Sequence, residues 1–231
     1  FPLDGRGLIA ESLGLDDHAV HILSGVRGDV DVMRGEETEI LGLLSDPVRA
    51  ALREDALFIL PGTHSKHARL EGGAMVGFST HLTGELLDLL RTGGILRHHV
   101  LPPPGDVLDG SAPAADGFRA GVAEGAEGPI TNVLFRVRAR SVLERKSRDW
   151  ATAYLAGILI GAELAAARAV AGDQSPMVLS ASRRHQDSYV LALEVLGLRG
   201  STVLIEAAEG ELAAVKGQAL YLASKGAGVA S

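Results

Sequence analysis

The sequence predicts an α/β fold, and three observations carry that reading. Short apolar runs of strand character, such as Ala56 to Leu60, alternate with segments of helical spacing instead of clustering together. The C-terminal part reads strand, helix, strand, helix over Met177 to Ser180, Gln186 to Leu196, Thr202 to Glu206 and Glu211 to Ser224. With 231 residues, 46% of them hydrophobic and 22% charged, the chain can bury a full core in one large or two small domains.

Each element follows from local chemistry. Ala19 to Leu23 is a short strand, and Glu36 to Leu44 takes helical spacing through Ile40, Leu43 and Leu44 before Ser45-Asp46-Pro47 breaks it. Ala56 to Leu60 is a buried strand. A second strand then runs to the Gly72-Gly73 reversal, and a third from Ala74 to about Ser79. Thr83-Gly84-Glu85 opens a helix that turns Leu86, Leu87, Leu89 and Leu90 toward a core. After a Pro/Gly/Asp-rich loop from Leu101 to Pro113, Ser111 caps a helix over Ala114 to Glu124, and Thr131 or Asn132 caps another through Val142. A long helix from Arg148 to Ala171 stops at Gly172; its Gly157, Gly161 and Ala165 recur every fourth residue and give a smooth face for close helix packing. Met33 and Trp150 are expected in the core.

Composition narrows the function. A net charge of -7 argues against a nucleic-acid coat or an anionic membrane surface. The absence of cysteine removes disulfides, thiolate metal sites and thiol nucleophiles. The longest apolar run, Ala151 to Ala162, falls short of the roughly 20 residues of a spanning helix, and Glu163 and Arg168 continue its pattern, so a soluble, cytoplasmic protein is expected.

Two stretches carry the chemistry. In LFILPGTHSKHARLEGG, Leu57 to Gly73, a strand breaks into a turn holding Gly62, Thr63, His64, Ser65 and Lys66. Glycine lets backbone amides approach an anion while hydroxyls and an ammonium add donors, so the turn reads as a phosphate site; a purely conformational polar hairpin is the alternative. It is not a Walker A loop, since no second glycine precedes Lys66. In DVDVMRGEET, Asp29 to Thr38, acidic residues surround a helix start, where Glu36 and Glu37 suit the helix dipole. Carboxylates beside a phosphate loop also suit phosphoryl transfer, which needs an orienting group or base for the attacking hydroxyl, Mg²⁺, and cationic donors. Ser180-Ala181-Ser182 and Glu206-Ala207-Ala208 follow strand ends, where open α/β sheets bind ligands.

DVMRGEETEILGLL, LPGTHSKHARL and FSTHLTGELLDLL, in that order, resemble the 2-dehydro-3-deoxygalactonokinase family of actin-like and hexokinase-like sugar kinases, most strongly over Asp31 to Leu90. The resemblance implies a ribonuclease-H-like, actin/hexokinase-type ATPase fold. Residues 45–231 would form the second, nucleotide-binding lobe and residues 1–44 the remainder of the first, with the lobe boundary near Leu44 to Asp55 and the N-terminal part of the family sequence absent. It implies ATP-dependent phosphorylation of the 6-hydroxyl of a sugar acid, with Mg²⁺; a non-catalytic nucleotide- or sugar-binding module of the same fold is the alternative. Gly62, Thr63, His64, Ser65 and Lys66 would hold the ATP phosphates, with Ser180 and Ser182 near the adenosine. Asp31, Glu36 and Glu37 are the candidate catalytic carboxylates. Arg34, Thr83, Gly84 and Glu85 would contact substrate. The family's first phosphate loop, Asp-x-Gly-x-Thr, does not occur in the chain, and Ser180-Ala181-Ser182 replaces the usual glycine of the adenosine turn. The expected partners are a small sugar acid and a second copy in a homodimer, with no nucleic acid and no membrane. His64 and His67, with His81, His98 and His99, are read as surface or hydrogen-bonded histidines rather than zinc ligands, and Arg183-Arg184 as a solvated pair.

Overall fold

A computed structural model describes residues 10–15, 18–104, 106–172 and 175–226. Residues 1–9 of the expected first-lobe remnant lie outside the described residues.

Strands β1 (Ala10–Leu15) and β2 (His18–Leu23) pair as an antiparallel ribbon, and β3 (Val26–Arg27) and β4 (Val32–Met33) form a second, very short one. Helix α1 (Glu36–Leu43) begins at Gly35, whose φ of 116° only glycine adopts readily, and puts three glutamates in its first turn. A 3₁₀ segment over Pro47–Arg53, capped by Asp46, leads to the main sheet.

That sheet contains β5 (Asp55–Leu60), β6 (Ser65–Glu71), β7 (Ala74–His81), β8 (Met177–Ser180) and β9 (Thr202–Ile205) in the order β7-β6-β5-β8-β9. The first three make an antiparallel meander; β8 is parallel to β5 and β9 to β8. This order and sense are those of a ribonuclease-H-like lobe. Between β7 and β8 the chain forms α2 (Thr83–Thr92), α3 (Ala112–Glu127), α4 (Ile130–Leu143) and α5 (Arg148–Ala171); α6 (Arg183–Val195) joins β8 to β9, and α7 (Ala207–Gly226) closes the chain.

Strand alternation sorts the core into two layers, because successive side chains leave opposite faces. Leu57 and Ile59 point to the face covered by α3, α5 and α6, and Ala56, Phe58 and Leu60 to the face covered by α1 and α7. On the first face, α3 and α5 run parallel with their backbones nearly touching. A Cβ at Gly121 would lie 2.2 Å from the Tyr154 carbonyl oxygen, and one at Gly157 2.3 Å from that of Phe118, so the close packing expected of the glycine face is present on both helices. By length and composition α5 is apolar enough to cross a membrane, but 67% of its most apolar window is buried inside the molecule, where it acts as the central core helix. Met33 and Trp150 are buried as expected; the Trp150 ring stacks on Tyr154 at 4.7 Å, and its Nε1–H donates to Asp116 at 2.6 Å.

Three local expectations need correction. Helix α4 starts at Ile130 with Pro129 as its cap residue, because the amides of Asn132 and Val133 reach back to the Pro129 carbonyl; neither Thr131 nor Asn132 caps it. Leu89 is 57% exposed, since Leu86, Leu87, Leu90 and the buried Arg91 define the inner face of α2 and leave position 89 on the other side. Helices α6 and α7 start three and four residues earlier than expected; the Glu206 carbonyl already accepts the amides of Glu209 and Gly210.

Candidate functional site

The site lies at one end of the sheet, where β5 and β8 finish, β6 begins and β7 ends. The turn between β5 and β6 occupies its centre. Thr63 and His64 are exposed at the tip, whereas Ser65 and Lys66 are buried. The Lys66 ammonium donates to the His64 carbonyl at 3.3 Å and stands 3.6 Å from the Glu36 carboxylate, so turn and α1 share one charged junction.

Helix α2 butts against the back of this turn. The Glu85 amide donates to the Thr63 carbonyl at 3.0 Å, and the Glu85 carboxylate meets His64 Nε2 at 2.5 Å. Gly84 is what permits the approach, for a Cβ there would sit 2.5 Å from the Gly62 carbonyl oxygen and 2.8 Å from Thr63 Cα. A small cavity of about 110 Å³ opens beside the contact, bordered by Gly62, Thr63, Gly84, Arg91, Arg184 and His185.

The three candidate carboxylates are placed differently. Asp31 is fully engaged: it accepts the Thr80 amide at 2.6 Å, the Thr80 hydroxyl at 2.7 Å and the Val32 amide at 2.7 Å. Partial burial pushes its pKa up, but these hydrogen bonds outweigh it and hold the carboxyl below its ordinary value. Glu37 turns back to accept the Gly35 amide at 2.6 Å, and burial raises its pKa. Glu36 has one oxygen beside Lys66, and its other, like Glu37 Oε1, is buried with no hydrogen-bond partner among the described residues. Arg34 is exposed and lines, with Glu37, Thr38, Gln218 and Tyr221, a groove of about 450 Å³ next to the α1 start.

Ser180 is buried and donates to Glu39 Oε1 at 2.7 Å, while Ser182 contacts His185 Nδ1 at 3.2 Å at the start of α6. Burial is the main reason that the Glu39 pKa rises to about 7, with the neighbouring Glu36 charge adding to it. Glu39 was not among the sequence candidates, although it lies one helical turn beyond Glu36.

Sequence reasoning also missed the cluster beneath the turn. Glu163, in the middle of α5 and 3% exposed, accepts His67 Nε2–H at 3.1 Å, the Tyr189 hydroxyl at 2.9 Å and the Thr83 hydroxyl. Burial alone would raise its pKa; the hydrogen bond and charge of His67, with the two hydroxyls, bring it below the ordinary carboxylate value. One signal was available: a lone carboxylate in an otherwise apolar helix is rarely buried without partners. His67 is hydrogen-bonded as expected, His64 is exposed and hydrogen-bonded to Glu85, and among the described residues no group of three or more His, Cys, Asp or Glu side chains is arranged to hold a metal ion.

A ribonuclease-H-like sheet, with a donor-bearing hairpin turn and a carboxylate-bearing helix start at its open end, is the arrangement of an actin-like or hexokinase-type fold. The chain belongs to the 2-keto-3-deoxy-galactonokinase family, whose model matches residues 1–215. It is 39% identical over 191 residues to a Rhizobium meliloti protein named "Probable 2-dehydro-3-deoxygalactonokinase", covering 79% of this chain and 58% of that protein. It is 35% identical over 168 residues to the 2-dehydro-3-deoxygalactonokinase of Escherichia coli, covering 72% and 53%. The crystal structure of a 2-dehydro-3-deoxygalactonokinase family protein from Sinorhizobium meliloti superposes with a TM-score of 0.75 at 36% identity, over 93% of this chain and 69% of that one. The chain thus spans little more than half the length of the two curated relatives.

Proposed function

We propose that the protein carrying this chain transfers the γ-phosphoryl group of ATP to the 6-hydroxyl of 2-dehydro-3-deoxygalactonate. The observation that carries this reading is the junction of Glu36 with Lys66: of the three candidate carboxylates, it alone is paired with the turn's ammonium. In this reading the exposed Thr63 and His64 amides face the ATP phosphates and Lys66 supplies a fixed positive charge beside them. Glu36 orients the 6-hydroxyl and takes its proton as the hydroxyl oxygen bonds to the γ-phosphorus and the bond to ADP breaks.

The groove at Arg34 suits the other end of the substrate, since a guanidinium binds a carboxylate through paired donors. Residues 45–231 would then be the nucleotide-binding lobe and residues 1–44 part of the first. Mg²⁺ would be held mainly by the ATP phosphates and waters at the turn, since it needs only one or two protein carboxylates. When bound it neutralises charge on the phosphates. The setting we propose is the cytoplasm, where ATP and Mg²⁺ are at hand.

The test is a substrate panel with the complete protein. ATP-dependent phosphorylation of 2-dehydro-3-deoxygalactonate is expected, with Glu36→Gln lowering kcat by about 10²- to 10⁴-fold and Asp31→Asn and Glu37→Gln far less. Turnover unchanged in Glu36→Gln would overturn the assignment, and no transfer to any sugar acid would overturn the function.

A further inference from the structure

Beneath the turn the hydrogen bonds run in one direction. The Gly62 amide donates to Ser65 Oγ at 3.4 Å, Ser65 Oγ lies 3.3 Å from the Tyr189 hydroxyl, and that hydroxyl donates to Glu163 at 2.9 Å. Because the Tyr189 proton is committed to the carboxylate, the Ser65 hydroxyl must donate to Tyr189, which leaves its lone pairs for Gly62. Thr83, the first residue of α2, donates to the same carboxylate, as does His67 from β6. Ser65 has no exposed surface and its hydroxyl is turned inward, so it is not placed to touch a ligand. A single buried side chain from α5 therefore receives, directly or through one or two relays, the start of β6, the turn, the start of α2 and the flank of α6.

We infer that Glu163 is a positioning residue for nucleotide, acting through Tyr189 and Ser65 on the turn at Gly62 and through Thr83 on the start of α2. This inference rests on the proposed role of the turn as the ATP-phosphate site. The carboxylate is suited to the task because it is acceptor-only, with room for about four hydrogen bonds, and so dictates the direction of every hydroxyl that meets it. A carboxamide in its place presents one acceptor oxygen and two donor hydrogens, so Thr83 and Tyr189 must share that oxygen while His67 changes tautomer, or one inward-pointing donor loses its partner.

The experiment uses Tyr189→Phe and Glu163→Gln in the complete protein, with two readouts: steady-state kinetics with ATP and sugar acid varied separately, and amide hydrogen exchange without ligand. Tyr189→Phe removes one oxygen and no ring volume, so the fold is retained. The expected result is an apparent KM for ATP raised about 10- to 150-fold, the scale of one hydrogen bond to a charged group. The sugar-acid KM should stay within about twofold, and exchange should quicken at residues 62–66 and 83–86 without quickening in β8 or α3. Unchanged ATP KM and unchanged exchange would overturn the inference. So would a uniform rise in exchange with both KM values altered, which would mark Glu163 as a general core residue. If the unaltered protein transfers no phosphate while exchange still quickens locally in the variants, the kinase reading fails and the positioning role stands.

Discussion

Gly84→Ala adds one methyl group at the closest contact in the site, and its consequences can be worked out from the distances. The new Cβ would lie 2.5 Å from the Gly62 carbonyl oxygen and 2.8 Å from Thr63 Cα, both backbone atoms that cannot rotate away. Turn and helix must separate by roughly 1 Å to restore van der Waals contact, which weakens the Glu85 amide bond to Thr63. Overpacking of this kind costs about 1–3 kcal/mol. Alanine recovers about 0.5–1 kcal/mol through helix propensity and a less flexible unfolded chain, since residue 84 is not at positive φ. Net destabilisation is therefore small, about 0–2.5 kcal/mol. In the proposed reading of the turn as the phosphate site, nucleotide binding has no such compensation, because a 1 Å displacement of positioning groups can cost up to ~10²-fold in activity. Chemical denaturation should show a modest loss, while the KM for ATP rises tenfold or more with the sugar-acid KM unaltered. Unaltered ATP kinetics in a folded Gly84→Ala protein would refute the view that the contact between α2 and the turn sets the phosphate site.

Two further predictions concern the core and pH. Gly157→Ala would place its Cβ 2.3 Å from the Phe118 carbonyl and should destabilise by about 1–3 kcal/mol, measured by urea titration, because here too the clash is with backbone; an unchanged midpoint would mean that the α3–α5 seam is looser than described. Glu39 has its folded pKa raised from the ordinary 4.5 to about 7, so its contribution to stability is fully present below 4.5 and is lost as pH rises through 7. Glu39→Gln, which mimics the protonated form, should stabilise the protein at pH 8 by on the order of 2–3 kcal/mol and have little effect near pH 4.5; a difference that does not vary with pH would contradict this.

Much of the fold was legible because the chain punctuates itself. Ser111 and Gly172 bound helices α3 and α5 where expected, and the Gly72-Gly73 reversal set the meander, with φ of 54° and 76° at the two glycines. The ribbon strand β1, AESLGL, was not legible: Glu, Ser and Gly give it little intrinsic strand preference. At the site, the turn, Glu36 and Gly84 were visible as local patterns. Glu163, His67 and Tyr189 were not, because they come together only when α5, β6 and α6 pack, across separations of 96 and 26 residues that no short window contains. Ser65 was visible as a hydroxyl in a turn, but whether that hydroxyl faces a ligand or the interior depends on what lies behind the hairpin.

The placement of Trp150 gives the molecule a built-in optical reporter. It is the only tryptophan in the sequence, and it sits at the start of α5, stacked on Tyr154 with the Lys146 ammonium 4.7 Å from its ring centroid. Its emission therefore responds to the helical layer of α3, α4 and α5 and not to α1 and α7, which cover the opposite face of the sheet. Unfolding followed by fluorescence and by far-ultraviolet circular dichroism would coincide if both layers leave the sheet in one cooperative step. A gap between the two curves would measure the free energy with which the layer carrying Glu36 and Glu39 detaches on its own.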